Sequence, residues 1–259
     1  MQASDRLITL MVLAGLLLAL ALWIAAALRR SIYGPVQTGL YFINRVLTRI
    51  LWRTEVRGRL DLPAGQGAVI VCNHRASIDP WFIQLASPRM VHWMVAAEYF
   101  PVPVVGWLLR FMQAIPTRRG GVDTASTRAA IRYAATGGLV GMLPEGRIND
   151  TSAVLLPARP GVILVALKAR VPIIPCYIDG APYDGTVWGC LFMPARVHLN
   201  IGGPIDLSAH YDQPLTSSLQ AELTLHVMRQ IARLGGHEDF EPTLAGRRWK
   251  PEYSLADGR

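Results

Sequence analysis

A histidine and an aspartate stand five positions apart in Asn73-His74-Arg75-Ala76-Ser77-Ile78-Asp79-Pro80, directly after the apolar run 68–72. The four residues between them let the chain turn back, so that the Asp79 carboxylate can reach Nδ1 of the imidazole and leave Nε2 for a substrate. Such a pair takes a proton from a hydroxyl, with the carboxylate fixing the tautomer and stabilising the imidazolium. A second reading stays open: Asp followed by Pro is a good N-cap and first-turn pair for a helix, and His74 is then an ordinary loop residue. Arg118 and Arg119 follow the strand-like residues 115–117 and offer charge-assisted bonds to a phosphate, or else form a solvated surface. Glu145 and Gly146, with Arg147 next, sit in Leu143-Pro144-Glu145-Gly146, where Pro and Gly by themselves signal only a turn. There is no G-x-S-x-G elbow. Cys72, Cys176 and Cys190 are odd in number and show no paired spacing, so neither a disulfide framework nor a zinc site is expected. No metal or cofactor is expected.

These residues need elements to hold them. The apolar β-type runs 68–72, 90–96, 139–143, 171–177 and 197–201 alternate with helical stretches from Pro80, around Trp107, and over 124–135 and 161–170. Strands this apolar, alternating with helices, predict an α/β layered domain with a largely buried mixed sheet flanked by helices. Residues 215–234 predict one more amphipathic helix. We place the boundaries at 1–30 for an anchor, 31–60 for a juxtamembrane helix, 61–235 for the domain, and 236–259 for a polar, weakly ordered tail.

The anchor rests on residues 7–28, which carry no charge and are long enough at helical rise to cross a hydrocarbon core of about 30 Å. A cleaved signal peptide is the alternative, with Ala25 to Ala27 as a cleavage site, but the apolar run exceeds the usual signal core. Arg29, Arg30, Arg45, Arg49, Arg53, Arg57 and Arg59 follow the run, which puts the remainder on the cytoplasmic side of a single N-terminal span. Over 35–53, Val36, Leu40, Ile43, Leu47, Ile50 and Leu51 recur at helical spacing, with Asn44, Arg45, Thr48, Arg49 and Arg53 opposite. This predicts an amphipathic helix lying in an anionic headgroup layer. The 26 basic and 18 acidic residues leave a net charge of +8. Anchor and arginines account for that charge without nucleic acid.

In order along the chain, four blocks resemble those of the glycerolipid acyltransferases of the 1-acylglycerol-3-phosphate acyltransferase (PlsC-like) type. They are the H-x-x-x-x-D box His74 to Asp79, Ile115-Pro116-Thr117-Arg118-Arg119, Leu143-Pro144-Glu145-Gly146 and Val171-Pro172-Ile173-Ile174-Pro175. The resemblance implies transfer of a fatty acyl group from acyl-CoA or acyl-ACP to the hydroxyl of a lysophosphatidate or related lysophospholipid. His74 would act as base and Asp79 as its orienting group, with Glu145 and Gly146 helping to position the acceptor. Two departures bear on the acceptor: Ala76 stands where the family usually has Ser, and Arg147-Ile148-Asn149 replaces Thr-Arg, which brings the cation one place forward. A lipid hydrolase using the same pair, or an inactive membrane-surface binding protein, are the competing functions.

Overall fold

The computed structural model describes residues 3–31, 33–118, 124–186 and 188–246 of the chain. It divides into two compact units, Met1–Ile43 and Asn44–Arg259.

The first unit holds the helix α1 (Ala3–Arg30) and most of α2 (Pro35–Val46). The described apolar side chains of α1, from Ile8 to Leu22, are exposed. Taken over the described residues, no helix is long and apolar enough to cross a membrane, so the span expected over 7–28 is not shown.

In the second unit a seven-stranded sheet runs in the order β1-β7-β6-β2-β5-β3-β4. Its strands are β1 (Glu55–Arg57), β2 (Ala68–Cys72), β3 (Val91–Ala96), β4 (Ile115–Thr117), β5 (Leu139–Met142), β6 (Ile173–Asp179) and β7 (His198–Ile201). Strands β2 to β6 are mutually parallel; β7 is antiparallel to β6, and β1 pairs parallel with β7. Every residue of β2 is buried, and alternation along it feeds two cores. Val69 and Val71 face the helices α5 (Thr124–Ala135), α6 (Gly161–Ala169) and α7 (Ser217–Leu234), whereas Ala68, Ile70 and Cys72 face Phe82 and Ile83 of α3 (Asp79–Ala86) together with Trp52. Covered on both faces, the strand is apolar throughout, as a central parallel strand must be. On β5 a side chain at Gly141 would collide with the Trp93 indole, so glycine there admits the tryptophan. The helix α4 (Pro103–Phe111) joins β3 to β4.

Three expectations are corrected. Residues 44–60 belong to the second unit: Glu55 N donates to Val197 O at 2.8 Å, and β1 joins the sheet. The polar face expected for 35–53 does not stay together either, and the chain passes from α2 into a wide π-helical turn, Leu47–Leu51, in which Trp52 N reaches back to Leu47 O. Asn44 and Thr48 are turned inward, Asn44 Nδ2 donating to Trp81 O at 3.0 Å and Thr48 Oγ1 to Asn44 O at 2.7 Å. Val46 and Ile50 are left outside with Arg45 and Arg49. Finally, the start of the expected tail is packed: Ala158 N donates to Thr243 O, Ala245 N to Ala158 O, and Phe240 lies on the core. Residues 247–259 lie outside the described residues.

Candidate active site

β2 and β5 are parallel neighbours with Val71 opposite Met142. Three residues further along each strand, His74 and Glu145 therefore emerge side by side at the C-terminal edge of the sheet, where open α/β sheets place their sites. His74 N donates to Glu145 Oε1 at 2.8 Å, and Asn149 N donates to His74 O at 2.7 Å. Both backbone polar groups of the histidine are thus held by the loop after β5. The imidazole Nδ1 lies 2.9 Å from Asp79 Oδ2, with the His74 side chain 16% exposed and that of Asp79 0% exposed. The same Oδ2 accepts the amides of Arg75 at 2.7 Å and Ala76 at 2.9 Å.

The Asp79 carboxylate contacts His74 and does not cap the helix. The residue capping α3 is Ile78, with no side-chain cap bond, and the Asp79 carboxylate turns away from the helix to close the loop onto His74. Asp79 Oδ1 is buried with no partner among the described residues.

Glu145 is 1% exposed, and its second oxygen accepts Leu156 N at 2.9 Å. Burial pushes its carboxyl up to about 7, against the pull of those two amides and of the nearby His74 and Arg75. Its side chain faces the backbone of the His74 loop. Gly146 occupies φ +70° at the tight turn in which its amide donates to Leu143 O at 3.0 Å. Arg147 is half-buried on the same loop, with Nε enclosed and without a partner among the described residues. Its charge bears on the phenol of Tyr183, which burial pushes up and which Asp150, Tyr99 and Asp184 push further. Arg118 emerges exposed after β4, three strands from β2, or about 14 Å across the sheet at the usual strand spacing. It is therefore outside the cluster around His74, and Arg119 lies outside the described residues.

Three residues of the site were not singled out in the sequence. Asn73 is buried, and its side chain pairs with both backbone groups of Ile178 on β6, at 2.8 and 2.7 Å. The Arg75 guanidinium donates to the carbonyls of Asn149, Thr151 and Ala153 at 3.1–3.2 Å. Asn149, also buried, spans its own loop by donating to Ala153 O at 2.9 Å. A polar residue abutting an apolar run, as Asn73 does, was the one available signal. Among the described residues no three His, Cys, Asp or Glu side chains gather as a metal site requires. Cys72, Cys176 and Cys190 are buried thiols, in no disulfide among the described residues, and burial pushes them up.

The mostly parallel sheet, with a histidine–carboxylate pair at its C-terminal edge, defines an α/β fold with its candidate site at the strand ends. Residues 53–179 match the acyltransferase family. The chain is 26% identical over 162 residues to the 1-acyl-sn-glycerol-3-phosphate acyltransferase of Bacillus subtilis, covering 62% of this chain and 78% of that protein. An uncharacterized protein of Mycobacterium leprae is 32% identical over 144 residues, which cover 50% of this chain but only 37% of that protein. The crystal structure of the 1-acyl-sn-glycerophosphate acyltransferase PlsC from Thermotoga maritima shares the fold, with a TM-score of 0.62 at 21% identity over 84% of this chain and 82% of that one. Residues 53–179 thus belong to the acyltransferase family, and the chain is similar to 1-acyl-sn-glycerol-3-phosphate acyltransferases of the PlsC type.

Proposed function

We propose that the enzyme transfers a fatty acyl group from acyl-CoA or acyl-ACP to the free hydroxyl of lysophosphatidate or a related lysophospholipid. The observation that carries the mechanism is the 2.9 Å contact between His74 Nδ1 and Asp79 Oδ2 at the end of β2. Nδ1 is engaged by the carboxylate, and among the described residues nothing bonds Nε2. Nε2 takes the proton of the acceptor hydroxyl as its oxygen attacks the thioester carbonyl. A C–O bond forms, the C–S bond breaks, and the imidazolium returns the proton to the departing thiolate. Asp79 holds the tautomer and stabilises the imidazolium between the two transfers. Glu145, Asn149 and Arg75 fix the backbone on which His74 rides. Arg147 on the adjoining loop and Arg118 further along the edge are suited to phosphates of acceptor or donor, a role that Arg119, next in sequence, would share.

Apolar α1 and the arginines from Arg29 to Arg59 support attachment to an anionic membrane, with the catalytic unit on the cytoplasmic side. The test is to incubate purified protein with labelled acyl-CoA and a panel of lysolipids and identify the products. Acylated lysolipid, reduced roughly 10²-fold or more in a folded His74→Ala variant, is expected. Free fatty acid as the main product with acceptor present would favour hydrolysis instead.

A further inference from the structure

In the catalytic unit, the large apolar side chains left exposed are unevenly placed. Apart from Val56 on β1, they gather on three segments: the π-helical turn with Val46 and Ile50, the start of α4 with Val104 and Trp107, and the segment carrying Trp188 and Phe192. Among the described residues none lies on α5, α6 or α7. Ile50 is 73% and Phe192 81% exposed. The α4 segment follows the C-terminal end of β3 and the Trp188 segment that of β6, so both leave the edge from which His74 emerges.

Hydrogen bonds join two of the three segments. Trp52 Nε1 donates to Cys190 O at 3.3 Å, and Ala195 N to Leu51 O at 3.2 Å. The short 3-10 turn Gly189–Phe192 also touches the catalytic loop, with Cys190 Sγ 3.1 Å from Ser77 Oγ, between His74 and Asp79 in sequence. Arginines border the apolar side chains: Arg45 and Arg49 on the same helical stretch, and Arg53, whose Nε donates to Ala195 O. The neighbouring acids are engaged, Glu55 near Arg57 and His198, and Asp184 by the amide and hydroxyl of Thr186. Exposed Trp, Phe and Ile beside arginines that pair with no acid among the described residues make a surface that water solvates poorly and an anionic headgroup layer accepts.

We infer that this edge of the catalytic unit is itself a membrane-docking surface, independent of α1. Ile50, Trp188 and Phe192 enter the headgroup layer of an anionic bilayer, and Arg45, Arg49 and Arg53 pair with lipid phosphates. The Gly189–Phe192 turn then holds the His74 loop against the leaflet that contains the acceptor. This deepens the proposed function by stating how a membrane-borne acceptor meets the site, and it rests on that reading only for its purpose.

The native thiols are buried, so a cysteine introduced as Phe192→Cys in the full chain takes a polarity-sensitive fluorophore selectively. On phosphatidylcholine vesicles containing phosphatidylglycerol, the probe should shift to the blue and be quenched by nitroxide-labelled lipid. Replacing Arg45, Arg49 and Arg53 by Gln in the labelled chain should abolish both changes. A chain that floats with the vesicles while its probe stays open to aqueous iodide overturns the inference, as does one that fails to float. This readout needs no turnover and so fails separately from the acyltransfer reading. Phe192→Asp should cut activity on lysolipid in those vesicles about tenfold and leave activity on a water-soluble short-chain lysolipid unchanged. Equal loss on both overturns it.

Discussion

Asp79→Asn separates an orienting carboxylate from a structural clamp. In the native loop Oδ2 receives three donors, His74 Nδ1 and the amides of Arg75 and Ala76, while Oδ1 is buried without a partner. An asparagine can put its oxygen in the Oδ2 position and keep the two backbone bonds. Its NH2 then falls where Oδ1 was, a buried donor with nothing to bond, which costs about 1–3 kcal/mol. At 2–4 °C per kcal/mol for a unit of this size, melting should drop by about 5 °C. The chemical effect is larger. A charge-assisted contact to the imidazolium becomes a neutral one, and if the amide rotates, its NH2 faces Nδ1 and imposes the wrong tautomer. Turnover measured with labelled acyl-CoA should fall by roughly 10²- to 10⁴-fold, with KM little changed. Since the two side chains act as one unit, His74→Ala combined with Asp79→Asn should be no slower than His74→Ala alone. A folded Asp79→Asn enzyme with near-normal kcat, or single-variant losses that multiply in the double variant, would refute the pairing.

Glu145 titrates from about 7 when folded against an ordinary 4.5, so the folded state holds a proton the unfolded chain has lost. Its contribution is present below 4.5 and lost as pH rises through 7, a fall of about 3 kcal/mol across that window. Urea titrations should show this slope in the native protein and its loss in Glu145→Gln; parallel stability–pH curves would count against it. Asn73→Ala strips both backbone groups of Ile178 of their partners and should cost about 3 kcal/mol by urea denaturation; a loss below about 1 kcal/mol would mean that water replaces them. Arg118→Ala, distant from His74, should raise KM for a phosphate-bearing substrate about tenfold at constant kcat, and a fall confined to kcat would contradict that role.

What the sequence revealed, and what it hid, follows from the range of the interactions involved. The α5 helix was legible to the residue at Thr124–Ala135, and the apolar strands within one or two residues, because their patterns are local. β1 was not: Glu55–Arg57 is short, exposed and charged, and becomes a strand only by pairing with β7 some 140 residues later. The buried face of residues 44–51 was misread because two polar side chains, Asn44 and Thr48, face inward on bonds to Trp81 O and Asn44 O while Val46 and Ile50 face out, which residue type alone does not show.

The site divides in the same way. The spacing of His74 and Asp79 announced their contact, since four residues suffice to close the loop. The direction of the Glu145 side chain depended instead on the β2–β5 register, which no local pattern encodes. Strand order explains why blocks so far apart in sequence serve one site. β2 lies between β5 and β6, so the residues after Met142 reach His74 from one side, while Ile178 on the opposite strand holds Asn73. A one-residue slip of β5 against β2 would carry Glu145 away from the His74 amide and turn its side chain to the other face of the sheet. The same slip would exchange the side chains that β5 sends to the two cores and take Gly141 out of register with Trp93, where any side chain would collide with the indole. Packing of the core and placement of His74 beside Glu145 are thus enforced by one register.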